Sequence, residues 1–194
     1  MKRWTAALLL AGFLFPVAGC TKQQQQQGSG QAGANMASLG SITGTAGGIR
    51  WSIPKRWTEQ GERQMRVATY AVPAAEGDAE TGECAVYYFG KDQGGTVDQN
   101  IERWIGQFEP DGVPAKSRKD VNGMKVTLVQ VAGAYLAPAG PMMQSSGKKE
   151  NFRLLGAIVE GPEGLVFYKF TGPAKTVTGA EGEFNAMVES LAKI

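Results

Sequence analysis

There is no histidine in this chain of 194 residues. That absence removes Ser-His-Asp and Cys-His catalysis, ordinary His-ligated zinc and haem sites, and a histidine pH switch. Cysteine is nearly as scarce: Cys20 and Cys84 are the only two. Neither sign of charge dominates, with Lys+Arg 20 against Asp+Glu 18. Leaving out Lys2 and Arg3 at the start makes the count even, so there is no concentrated positive charge of the kind nucleic acid requires. Long apolar runs are missing as well. The longest, Ala6 to Val17, is about a dozen residues, short of the roughly 20 that a helix needs to span a bilayer.

What is present begins at the N-terminus. Lys2 and Arg3 precede the short apolar run, and Val17-Ala18-Gly19-Cys20 sets small residues directly before a cysteine. A basic start, a short apolar core and a small-residue site describe a secretory signal. The segment resembles a bacterial lipoprotein signal with its lipobox. The resemblance implies cleavage before Cys20 and a thioether-linked diacylglycerol on its sulfur, so residues 1–19 are expected to be removed. Several buried acyl chains then hold the protein on a membrane. Thr21, not being Asp, implies the periplasmic face of the outer membrane in a Gram-negative host. With Cys20 acylated, Cys84 has no partner for an internal disulfide, and the domain must be held together by its core.

Residues 20–48 read as a tether. Gln23 to Gln27 is a run of five glutamines, followed by Gly, Ser, Ala and Thr with almost no large apolar residue. Such a segment buries too little apolar surface to offset its ordering entropy. From Ile49 to Ile194 the composition is that of one globular domain. Ile49, Trp51 and Ile53 alternate with polar neighbours as in a half-buried strand. Met65 to Val72 and Cys84 to Phe89 read as two more. Ile101, Trp104, Ile105 and Phe108 form one helical stripe, with Thr96 and Gln99 as a capping box and Pro110 and Gly112 as the stop. Strands are expected at Ala115 to Val121, Met124 to Leu136, Phe152 to Glu160 and Leu165 to Thr171. Asn122-Gly123 is a hairpin signal, and Gly161 to Gly164 a second tight connection. Phe184, Met187, Val188 and Leu191 mark a closing amphipathic helix. The expected fold is α+β, a mainly antiparallel sheet of about six or seven strands flanked by helices.

The order of several pieces resembles the PsbP and Mog-type α/β/α sandwich. They are Trp51-Ser52-Ile53-Pro54 with Trp57, Met65-Arg66, Tyr88-Phe89-Gly90, Asn100-Ile101 with Arg103-Trp104, and Lys169-Phe170-Thr171-Gly172-Pro173. PsbP-type proteins assist a photosynthetic complex and Mog-type proteins bind a small GTPase. The resemblance therefore implies a non-catalytic binding or assembly module. From the residues themselves, with no histidine and no calcium-loop pattern, no cofactor and no metal is expected.

Five features are candidates for chemistry. The connection over residues 137–150 carries Met142, Met143, Lys148 and Lys149, and reads either as a flap contacting a partner or ligand, or as a surface loop packed on its own domain. Lys169 interrupts an apolar strand ahead of Thr171 to Thr176, where an anion could meet a lysine and a helix start, or the chain could simply turn. Glu59, Glu62, Asp78, Glu80 and Glu83 supply carboxylates for a His-free hydrolase or form a solvated acidic face. Cys84 alternates with Val86 and Tyr88 and reads as a core residue. Trp57, Trp104 and the tyrosines line either the core or a ligand groove. These support a membrane-anchored envelope module that binds a protein or another envelope component. The alternatives are a small-ligand carrier with a groove beneath residues 137–150 and, last, a hydrolase.

Overall fold

A computed structural model describes residues 42–136 and 147–194. Its centre is an eight-stranded sheet in which each neighbouring pair is antiparallel. The strands are β3 (Thr58–Glu59), β4 (Ala68–Val72), β5 (Gly82–Tyr88), β6 (Phe108–Pro110), β7 (Ala115–Val121), β8 (Met124–Leu136), β9 (Lys148–Gly161) and β10 (Gly164–Pro173). Their order is β3-β4-β5-β10-β9-β8-β6, with β7 also on β8. β1 (Thr43–Ala46), β2 (Ile49–Ser52) and β11 (Ala192–Lys193) form a small second sheet. Helix α1 (Val97–Ile105) lies on one side of the large sheet, and α2 (Ala174–Gly179) and α3 (Glu181–Glu189) belong to the other.

Alternation along β10 generates two cores. Val166, Tyr168 and Phe170 face one way, into a cluster with Trp51, Trp57, Leu155, Phe184 and Met187. Phe167 faces the other way, into a cluster with Ile101, Trp104, Leu154 and Ile158. A strand buried on both sides must be apolar at nearly every position, which is why Leu165 to Phe170 reads as it does. The α+β class and the mainly antiparallel sheet are as the sequence implies.

Several boundaries move. β3 and β6 are too short to show a period, so the sheet has more strands than the sequence reveals. β1 lies within the segment expected to be tether. Gly47 and Gly48 turn it back onto β2 with φ of 58° and 74°, the left-handed pair that a two-residue hairpin requires. α1 ends earlier than its apolar stripe suggests, at a C-cap on Gly106. Phe108 is buried, but in β6, where it pairs with Tyr135. The Thr96–Gln99 capping box is formed from both sides, at 3.2 Å and 3.0 Å. Lys148, Lys149 and Glu150 belong to β9, and Lys148 and Lys149 pair with the end of β8, so the connection is shorter than residues 137–150. Ladder pairing there overrides the loop-like composition. Among the described residues no helix is long and apolar enough to cross a membrane.

Candidate functional site

The two sides of the sheet are covered unequally. The first is sealed by α2, α3 and the small sheet. Among the described residues the second has α1 alone, which seats Trp104 above Gly156 of β9. Beside α1 the described residues leave a cleft of about 480 Å³.

Strand register sets the floor. Lys169 of β10 pairs with Ala85 of β5, and Phe167, Thr171 and Tyr87 project on the same side by the two-residue period. Tyr135 of β8 and Phe152 of β9 stack at one wall, with ring planes 6° apart. Tyr87 and Phe89 stack at another, 18° apart. α1 and the residues after it contribute Arg103, Trp104 and Gln107.

The charges divide into paired and unpaired. Arg66 holds Glu83 at 2.8 Å and lies over the Tyr87 ring. Lys149 holds Glu80 at 2.5 Å and lies over the Phe152 ring. Lys169 is half-buried and has no carboxylate. Its ammonium donates to the side-chain carbonyl of Gln107 and sits 5.5 Å from the centre of the Tyr135 ring. Arg103, exposed at the rim, donates to the side-chain carbonyl of Asn100. Asn100 is itself fixed by donating to the carbonyls of Gly94 and Thr96, both at 2.8 Å. Neither Lys169 nor Arg103 has an acidic partner within 4.0 Å among the described residues. The undescribed residues contain no Asp or Glu to supply one.

Burial lowers the Lys169 pKa to about 8, helped by repulsion from Arg66 and Arg103 and opposed by Glu83. Burial pushes Tyr135 up to about 12 and raises Tyr87, so both phenols are neutral donors at ordinary pH. The Thr171 hydroxyl is buried and has no partner among the described residues.

The residues singled out in the sequence are distributed unevenly. Lys149 reaches the cleft. Lys148 does not: it is exposed, bonded to Glu109 at 2.7 Å and Glu150 at 3.2 Å, and these hydrogen bonds raise its pKa. Met142, Met143 and Cys20 lie outside the described residues. Lys169 and the start of α2 do not converge on one anion. Asp78 already accepts from the Thr176 N–H at 2.9 Å and from its hydroxyl at 2.5 Å, while Lys169 points into the cleft. The carboxylates do not act together either. Asp78 caps α2, Glu80 and Glu83 are in ion pairs, and Glu59 and Glu62 are exposed elsewhere. Cys84 is fully buried, with its thiol pKa pushed far up by burial. Trp57 is core, bonded to Glu183 at 2.9 Å, whereas Trp104 serves both core and cleft.

Arg66, Arg103 and Gln107 carry no site signal in the sequence. Lys169 within an apolar strand, Lys149, Trp104 and the tyrosines do, and only the register shows which of them share one cleft.

No protein-family model matches the chain, and no curated protein does. The solution structure of cyanobacterial PsbP (CyanoP) from Synechocystis sp. PCC 6803 is similar with a TM-score of 0.51 at 11% identity, over 86% of this chain and 98% of that one. A Pseudomonas aeruginosa protein of unknown function gives a TM-score of 0.44 at 14% identity, over 79% of this chain and 96% of that one. The domain thus has a PsbP-like fold; that likeness concerns the backbone alone.

Proposed function

We propose that this chain is a lipid-anchored binding module of the bacterial cell envelope, held to the membrane through Cys20, which takes a small ligand into the cleft beside α1. The observation that carries the reading is the concave half of the second sheet face that no described residue covers. Its volume of about 480 Å³ falls within the range of small-molecule pockets, and its mix of aromatic walls with a few polar groups is their usual lining. A binding role rather than hydrolysis is supported by the engagement of Asp78, Glu80 and Glu83 in a cap and ion pairs. The lipobox-like segment before Cys20 supports the anchor, and the PsbP-like fold is compatible with a module of this kind.

Native mass spectrometry of the full chain, gently extracted from its own host's membranes, tests the cleft. A bound small molecule is expected, and it should be lost in Ala85→Phe, which fills the floor. A bare mass in repeated preparations overturns the reading. For the anchor, Cys20→Ser should move the protein from the membrane pellet to the soluble fraction; unchanged pelleting overturns that part.

A further inference from the structure

Resting on that reading, the cleft's own chemistry narrows the ligand. Lys169 is the cleft's anomaly. An ammonium taken largely out of water loses hydration that a neutral amide oxygen does not fully replace. Arg66 and Lys149, in the same cleft, each have a carboxylate. Lys169 has only Gln107, and the next cation on that side, Arg103, is held toward the cleft by Asn100 rather than by an acid. Two cations without acidic partners, flanking one concave space, favour an anion. Beside them stand two near-parallel aromatic pairs, Tyr87–Phe89 and Tyr135–Phe152, with Phe167 between sheet and helix. Flat rings pack on such surfaces without losing much conformational freedom.

We propose that the cleft binds a planar aromatic acid, its single anionic group on Lys169 and Arg103 and its rings between the aromatic walls. Protonated Lys169 is the binding form, so affinity falls as pH rises past the point where Lys169 loses its proton. The charged and titratable groups around it are Arg103 after Asn100 on α1, Glu83 and Tyr87 on β5, Arg66 before β4, and Tyr135 on β8.

A matched pair of fluorescent probes tests this on the full chain: anilinonaphthalene sulfonate and its uncharged parent, phenylnaphthylamine. They share their rings and differ by one anionic group. The sulfonate should bind saturably, one per chain, and about tenfold or more tighter than the parent, since a hydrogen bond to a charged group is worth more than one such factor. Lys169→Met should abolish that preference, and Arg103→Gln should reduce it. Neither variant removes a core contact, so both are expected to keep the wild-type circular dichroism. Equal affinity for the two probes, or a preference that survives Lys169→Met, overturns the anion assignment while leaving a ligand cleft. Displacement of the sulfonate by laurate at lower concentration than by naphthoate overturns the planar body in favour of an acyl chain. Absence of binding by either probe, or binding unchanged in Ala85→Phe, overturns the cleft itself as a ligand site.

Discussion

Trp104 of α1 occupies the space above Gly156 of β9 where a side chain would stand. A Cβ added to Gly156 would lie 2.5 Å from Cζ3 and 2.7 Å from Cε3 of the indole, and 2.7 Å from Cγ1 of Val129. This fit seats the helix on the sheet and sets the edge of the cleft.

Gly156→Ala therefore has two opposed effects. Relief of backbone entropy in a strand favours alanine by about 0.5–1 kcal/mol. Overpacking against a ring and a β-branched side chain costs about 1–3 kcal/mol. The second wins, so the denaturation midpoint should fall at unchanged slope. In a Trp104→Ala background the penalty should shrink to the part that Val129 imposes; an equal penalty there would show that the indole is not what the new methyl meets.

Lys169 links stability to pH in a defined direction. Its pKa falls from 10.5 to about 8 on folding. Between those values the unfolded chain binds more protons than the folded one, so the Lys169 contribution to stability rises with pH across that window. Below about pH 8 the whole deficit is present, on the order of 3 kcal/mol. Lys169→Met should then be more stable than wild type at pH 7, with the gap closing as pH approaches 10.5. Urea melts of both proteins at several pH values would check this. A constant gap would mean that the ammonium is well solvated in the folded protein.

Asp78 caps a helix nearly a hundred residues away in sequence. Asp78→Ala removes the acceptor for the Thr176 N–H and hydroxyl. Loss of a cap costs about 1–2 kcal/mol. Asp78→Asn should retain part of that, since an amide oxygen still accepts. Chemical denaturation resolves the three proteins. If alanine and wild type melt alike, water replaces the carboxylate without cost.

β1 covers Trp51. A Cβ on Gly44 would stand 2.3 Å from the indole, so the strand's backbone lies directly on the ring, and Trp51 is 1% exposed. A chain beginning at Ile49 should be less stable than one beginning at Ile42 by about 2–3 kcal/mol, the scale of uncovering one large aromatic side chain. Thermal melts of the two compare them directly. Equal melting would assign residues 42–48 to the tether after all.

Cys84 is inert while the fold is intact, because burial both hides the thiol and disfavours the thiolate. In a Cys20→Ser chain, maleimide should label nothing under native conditions and one site in denaturant. Native labelling would show that the first core opens locally.

Where local signals were dense, the chain was readable. The capping box at Thr96, the Asn122-Gly123 hairpin between β7 and β8, and the apolar run of β10 each depend on residues within a few positions of one another. Period and turn chemistry therefore sufficed for the fold class and for most of the long strands. The short strands β3 and β6 carry no period, and the strand start at Lys148 is set by its partners on β8 rather than by its own composition.

What the amino-acid order determined alone is the class: no histidine chemistry, two amphipathic helices, and strands alternating toward two cores. The site needed three dimensions. Lys169 meets Gln107 across 62 positions, and Arg66, Tyr135 and Arg103 come together only because β4, β5, β10, β9 and β8 take that order in the sheet. The reason is physical. Local patterns record which way a side chain faces, whereas a cleft exists where the covering layer stops, and the length of α1 against the width of the sheet is decided by packing.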